Sequence, residues 1–457
     1  MKILYVDLTT GTGGEIISLA QLLSRLDRAE FQPTVLLAAH SQGRGRLEAV
    51  GVPVITLPTV TADMAHSTAL VQAIKSAGPA RRLFLEGPLA RPWAWARGVR
   101  DLLMRTAPLT CRLYRTIRRL QPDLVHVNVI SSAALAAAWL AGRPVVCHMR
   151  WQGPLTAWER MWARTVRRFV FISRWIAEHD ATQGIPAGRG RLIYNGLDLA
   201  PYQDLPDRTA ARVRLGLPAN RPIVADIGRL VPWKGQDLFL RAMRRVVDAE
   251  PNAFGLIIGE AEEFSRDFAA WLPALAAELG LANAVRFTGF LADVPAAMAA
   301  IDLLAHTAVE PEPFGRVLIE AMAAERPVVS PDEGGGAEIV AHGRTGLLYP
   351  PGDEAALAAA IIRLLRDPRL AAEMGQAGRA RVIEMFSLEQ HVQAMVDLYR
   401  ELETEDVIGN KRRCHPERVH PVYCVAASIQ RRVWCCMKEI LRWFHAAKRG
   451  SGQTRSE

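Results

Sequence analysis

Cysteine is scarce in this chain. Six in 457 residues, at positions that match no disulfide framework, point to a reducing compartment and exclude a disulfide-stapled scaffold. Asp-x-Asp is absent, so the paired carboxylates that would bridge a divalent cation to a diphosphate are missing, and no metal is expected. No acidic residue closes the second strand. His40 follows PTVLLAA, where a nicotinamide-binding turn needs a carboxylate for the ribose, which speaks against a dinucleotide oxidoreductase. Long uncharged runs are also few. The longest, Leu124 to Gly142, contains His126, Asn128, Ser131 and Ser132 and reads as strand, turn and Ala-rich helix, not as a membrane span. Met1-Lys2 leads directly into the strand ILYV, so no secretory leader is expected, and cytoplasm is the default.

What is present is apolar and unevenly charged. Half the residues are hydrophobic, enough for packed cores, and the length predicts two domains. The net charge of +9 is concentrated in residues 81 to 120 and 411 to 457, each +8, and the remainder is acidic. Such segments suit an anionic surface, and solvated helix faces are the plainer account. In the second segment Val433, Met437, Ile440, Leu441 and Phe444 share a helical face beside Trp residues, as in interfacial helices. The Cys and His residues from Cys414 to Cys436 fit no zinc spacing.

Short apolar strands alternate with helical patterns along the chain, which predicts parallel sheets covered on both faces. In the first half these are residues 2–6, 52–56, 123–127, 144–148, 168–172 and 190–194. The turn TTGTGGE leads into a helix from about Ile16, and a basic helix is expected from about Gly98 to Leu120. An irregular stretch, 58 to 95, carries Trp93 and Trp95. Prolines and charges from 201 to 222 mark a linker, and the strand pattern then repeats from 223. The expected division is a first domain over 1–200, a second over 223–386, a C-terminal helix over 387–403 packing back on the first, and a basic tail over 404–457. Two successive α/β halves place a cleft between the C-terminal ends of their strands.

The most informative stretch is EPEPFGRVLIEAMAAERPVVSPDEGG, Glu310 to Gly335. Proline suits a first helical position, so a helix is expected from near Pro313, with the amides of Phe314, Gly315 and Arg316 presented to an anion by the helix dipole. Glu312 stands outside that helix and Glu320 about two turns further on. Upstream, DIGRLVPWKGQD sets Arg229 and Lys234 in a loop at a strand end, where two cations can neutralise a diphosphate. Read singly, each pattern is also compatible with an ordinary surface loop.

Together these segments resemble the donor-sugar site of retaining glycosyltransferases with the two-Rossmann GT-B fold, glycosyltransferase family 4. The resemblance covers roughly residues 1 to 403 and is most specific from 195 to 350. It implies an α/β fold of two Rossmann-like domains facing each other across a cleft. It also implies transfer of a sugar from a UDP- or GDP-linked donor to an acceptor hydroxyl, with retention of configuration and no cofactor. Arg229 and Lys234 would hold the diphosphate, Glu312 the sugar hydroxyls and Glu320 the ribose. Gly13 and Gly14 would face the donor, and the loop of Gly289 and Phe290 would lie near the base. NGLD, from Asn195 to Asp198, marks the end of the first domain. Gly334 to Gly336 with Glu338 match the family's glycine turn, Glu338 being expected as a helix cap. Asn128 stands where many relatives have a histidine near the sugar. His126, His148 and Arg150 are candidates on the acceptor side, with a satisfied core histidine the plainer account of either His. A lipid-linked or saccharide acceptor and an anionic membrane surface are the expected partners, and nucleic acid is not. An epimerase or phosphorylase of the same fold, or a binding protein without turnover, remains open.

Overall fold

The computed structural model describes residues 1–9, 11, 13–58, 102–150, 153, 155–182 and 184–413. The stretch with Trp93 and Trp95, the start of the basic helix at Gly98 and the amphipathic tail lie outside the described residues.

Seven strands form the first sheet: β1 (Lys2–Asp7), β2 (Gln32–Ala38), β3 (Val54–Leu57), β4 (Leu124–Val127), β5 (Val145–Met149), β6 (Arg168–Phe171) and β7 (Gly190–Leu192). Their spatial order is β3-β2-β1-β4-β5-β6-β7, with all neighbours parallel. The second sheet holds β8 (Ile223–Ile227), β9 (Phe254–Ile258), β10 (Val285–Phe287), β11 (Leu303–Ala305), β12 (Val328–Pro331) and β13 (Leu347–Tyr349). Its order is β10-β9-β8-β11-β12-β13, again parallel. Central strands such as β5 and β9 are buried along their whole length, as expected when helices cover both faces. The two Rossmann-like halves of a GT-B fold are therefore present.

Among the described residues the helices connecting the first sheet are α1 (Gly14–Arg25), α2 (Arg44–Ala49), α3 (Ala107–Leu120), α4 (Ser132–Leu140), α5 (Ala157–Ala163) and α6 (Arg174–Thr182). Those of the second half are α7 (Arg208–Arg214), α8 (Gln236–Ala249), α9 (Arg266–Glu278), α10 (Val294–Ala300), α11 (Arg316–Ala323), α12 (Gly336–Ile339), α13 (Glu354–Arg366) and α14 (Pro368–Met385). A last helix, α15 (Leu388–Arg413), follows. Residues Met1–Met395 make one compact unit containing both sheets, and Val396 onward is a second.

Two elements differ from the sequence reading. The described part of the basic helix opens with a wide π-type turn, Leu102–Thr106, before α3. The 201–222 stretch is not a bare linker, because α7 forms inside it. Asp207 caps that helix by accepting from the Thr209 and Ala210 amides, and the buried Arg212 guanidinium donates to the Ala300 carbonyl at 2.9 Å and pairs with Asp302. The prolines there bracket a helix that the charges anchor to the second half.

Each sheet reverses its strand order at one place, between β1 and β4 in the first and between β8 and β11 in the second. Crevices at the C-terminal ends of strands open at such reversals. Asp7 and Asn128 stand at the first, Asp226 and His306 at the second.

Candidate functional site

The helix expected at Pro313 begins three residues later. Gly315 adopts φ 96°, ψ 56°, in the left-handed region, and α11 starts at Arg316. Pro313 to Gly315 is thus a turn, and the amides at the head of the helix are those of Arg316 and Val317, not of Phe314 and Gly315. The following glycine turn accounts for this. Gly335 donates to the Glu312 carbonyl at 2.8 Å, and a Cβ on Gly335 would lie 2.5 Å from the Phe314 Cα. The EPFG segment therefore seats directly on a chain that has no side chains to keep it away.

That seating brings Glu312 beside a lysine and a histidine. Lys234 Nζ lies 2.7 Å from its Oε1, and His306 Nε2 lies 2.8 Å from its Oε2. Burial works to raise the Glu312 carboxyl, but Lys234 and then His306 outweigh it and hold the group well below the carboxylate range. Lys234 is carried by a short 3-10 turn after β8, with its ammonium over the Trp233 ring. Arg229 is half-exposed; it pairs with Glu262 and lies over the same Trp233 ring as Lys234. Glu320, about one turn along α11, is partly buried; burial raises its carboxyl, and Arg316 lies 3.5 Å away. Gly289 has φ 73° and its carbonyl accepts from Gly259, while Phe290 is 64% exposed.

His306 was not among the sequence candidates. It ends the run IDLLAH, where it reads as the last residue of a strand, and only the seated EPFG turn brings Glu312 to it.

In the first half the expected acceptor-side histidines turn inward. His126 and His148 are fully buried, with His126 Nε2 and His148 Nδ1 2.7 Å apart. Alternation along β4 aimed His126 into the core rather than toward the cleft. Burial first, then the Arg150 charge, lowers His126 to about 3 and His148 well below its ordinary value. Asn128 is also fully buried, and its amide donates to Asp7 Oδ2 at 2.6 Å. It braces the end of β1, and its Oδ1 is buried without a partner among the described residues. Arg150 donates to Asn195 Oδ1 at 2.7 Å, which ties β5 to the NGLD turn. A cavity of about 360 Å³ opens above the β1/β4 reversal, where Thr9, Arg105, Thr106, Ser131, Ser132 and Glu159 supply its polar lining.

Gly13 caps α1 and Gly14 opens it, and a Cβ on Gly14 would lie 3.0 Å from the Arg316 Cδ. Arg316 reaches from the second half to Ser18 at 3.1 Å, Gln21 at 3.4 Å and the Gly196 carbonyl at 3.4 Å. Glu338 caps a helix, though not its own. Its carboxylate accepts from the amides of Arg174 and Trp175 at 2.9 and 2.8 Å and from the Tyr194 hydroxyl at 3.0 Å. The donor-side turn, α1 and the head of α6 are thereby linked. Among the described residues no three His, Cys, Asp or Glu side chains converge as a metal site would require, and no helix is long and apolar enough to cross a membrane.

Two family models match the chain, Glycosyltransferase Family 4 over residues 12–201 and Glycosyl transferases group 1 over 207–381. Among curated proteins it is 35% identical over 221 residues to a D-inositol 3-phosphate glycosyltransferase of Streptomyces avermitilis, covering 46% of this chain and 47% of that protein. It is also 35% identical over 219 residues to a GDP-mannose-dependent alpha-(1-6)-phosphatidylinositol monomannoside mannosyltransferase of Mycolicibacterium smegmatis, 46% of this chain and 56% of that one. The matched region thus spans about half the length of these relatives. Among solved structures, Anabaena HepE in complex with UDP superposes with a TM-score of 0.71 at 27% identity, over 88% of this chain and all of that one.

Proposed function

Because the chain belongs to glycosyltransferase family 4, the glycosyl transferases group 1, with the GT-B fold, we propose that it moves a sugar from a nucleoside diphosphate to an acceptor hydroxyl with retention of configuration and without a metal. The observation that carries this reading is the Glu312 carboxylate held between Lys234 and His306 beside the head of α11. A helix N-terminus with adjacent cations favours a diphosphate, and an ionised carboxylate next to it accepts hydroxyl hydrogen bonds from the attached sugar.

In this scheme Lys234, the amides at the head of α11 and, after leaving Glu262, Arg229 stabilise the departing diphosphate. Glu320 meets the ribose. The bond from the anomeric carbon to the phosphate oxygen breaks as the bond to the acceptor oxygen forms on the same face, and the acceptor proton passes to the departing phosphate oxygen. No protein nucleophile is needed. The solved relative binds UDP and a curated relative is GDP-mannose-dependent, so the proposed donor is UDP- or GDP-linked. Curated relatives act in phosphatidylinositol mannoside and lipopolysaccharide core synthesis by their names. With the hydroxyl-lined cavity above β1 and β4, this supports a saccharide or lipid-linked acceptor handled at the cytoplasmic side of a membrane.

The test is thermal stabilisation of the purified chain by UDP, GDP and ADP and by their sugar conjugates, with EDTA present, for wild type and Glu320→Ala. A shift with one nucleotide, surviving EDTA and weakened by the substitution, is expected. No shift with any of them would leave a binding protein or another reaction class in its place, and release of free nucleoside diphosphate from the conjugate separates transfer from phosphorolysis.

A further inference from the structure

Behind Glu312 and Lys234 lie two buried ionisable residues. Asp226, near the end of β8, is 4% exposed, and His306, directly after β11, is 5% exposed. The His306 backbone is fixed at both ends: its amide donates to the Val329 carbonyl at 2.8 Å, and its own carbonyl accepts from the Tyr349 hydroxyl at 3.2 Å. Its ring is therefore presented to Glu312 from a rigid strand end. Next to it the buried Thr307 hydroxyl donates to Asp226 Oδ2 and also stands 3.0 Å from the Lys234 carbonyl. Gly235, the residue after Lys234, has φ 72°, and a Cβ there would lie 2.1 Å from the Thr307 carbonyl. The turn that carries Lys234 thus lies hard against Thr307.

These contacts form a continuous chain. Asp226 holds the Thr307 hydroxyl, Thr307 bears on the backbone of Lys234, the Lys234 ammonium takes one oxygen of Glu312, and His306 takes the other. The groups facing His306 are Asp226 from β8, Lys234 from the turn after it and Glu312 from the loop before α11, with Tyr349 of β13 on its carbonyl. An ionised carboxylate has about four lone-pair sites. Lys234 and His306 thus stand one at each oxygen of Glu312, and the buried Oε2 has no other partner among the described residues.

We propose that His306 and Asp226 are positioning residues for sugar transfer, His306 by fixing the second oxygen of Glu312 and Asp226 by fixing, through Thr307, the turn that delivers Lys234. This rests on the donor-site reading of Glu312 given above. Neither residue touches the substrate. Preset orientation of groups that contact the reacting sugar affects turnover more than binding of the distant nucleotide, and a displacement of about 1 Å is worth on the order of 10²-fold in rate.

The experiment uses the full chain with His306→Ala, His306→Gln, Asp226→Ala and Asp226→Asn. One readout needs no substrate: the titration of the Glu312 carboxyl, followed by carbon NMR of labelled glutamate and assigned by its loss in Glu312→Gln. In His306→Ala its midpoint is expected to rise toward the ordinary carboxylate range. The second readout is release of UDP from UDP-glucose and of GDP from GDP-mannose. In His306→Ala and Asp226→Ala a fall of about 10²-fold in kcat is expected, with the Kd for the free nucleotide within about twofold, and partial recovery in His306→Gln and Asp226→Asn. If His306→Ala does not fold, His306→Gln takes its place in both arms, with smaller changes in the same direction. An unmoved Glu312 titration, or equal losses in nucleotide affinity and kcat, overturns the proposal. A wild-type chain that releases neither nucleotide overturns the donor reading instead, and the Glu312 titration still decides the positioning role.

Discussion

At the scale of single residues, three buried histidines dominate the expected response to acid. His391, at the start of α15, lies against the Tyr194 carbonyl with Nδ1 at 2.7 Å and leaves Nε2 buried without a partner. Burial lowers it to about 4, against a smaller opposing effect of the Tyr194 hydrogen bond. His126 and His148 are lowered in the same way. Each folded-state value is below the unfolded one, so the stability these groups contribute is present above about pH 6.5 and is lost as pH falls toward the folded values. Asp226 acts in the opposite sense. Burial raises it to about 6, so its contribution is lost as pH rises through that value and grows below it. Near pH 5 unfolding should therefore take up protons on balance, so stability falls with acid over this range. Urea unfolding between pH 5 and 7 measures it, and a flat profile would contradict the interior placement of these rings. The pattern DLVHVN put His126 and Asn128 on one face without saying which face, because alternation says which residues share a face and not which face is covered.

At the scale of elements, α6 shows how one helix end is completed from another part of the fold. Ser173 accepts from the Ile176 amide at 3.1 Å, and Glu338 accepts from the two amides before it. Replacing Glu338 by Ala exposes those donors and releases the Tyr194 hydroxyl, and should cost about 2 kcal/mol. Tyr194, raised to about 12 by burial and then by Glu338, should ionise at a lower pH in the variant, and ultraviolet titration reads this independently of stability. An unchanged phenol titration with unchanged stability would argue against the contact. The strands were legible from the sequence because buried parallel strands are short apolar runs between turn residues, and nearly every predicted strand lies within two residues of its place. The start of α11 was not. Proline at a first helical position is a local signal, and it was overridden by the left-handed Gly315 and by a glycine turn twenty residues downstream. For the same reason the sequence put Glu312 and Lys234 near one another but missed His306, and it assigned Glu338 to capping without revealing which helix.

At the scale of the whole molecule, charge segregation was legible from composition alone, and its described portion is consistent with a surface role. In α3 Leu113 and Ile117 are buried while Arg115, Arg118 and Arg119 are exposed, so these arginines form an outward face of the helix. Each basic residue near an anionic bilayer contributes about 1 kcal/mol at most, less at high salt. The intact chain is expected to co-sediment with phosphatidylglycerol vesicles at low salt and not with phosphatidylcholine, with much of that binding lost on deleting 411–457. An intact chain left in the supernatant would rule out the membrane-surface reading. The Glu338 contact bears on a separate question, the ancestry and exchange of parts. A half that carries one sheet ends in neither its own last strand nor its own last helix: the acid that completes α6 is encoded about 160 residues downstream of it, and Arg316 inserts into the opening of α1. A chimera joined within 201–222 would separate the partners of these contacts even though each half has a sheet of its own.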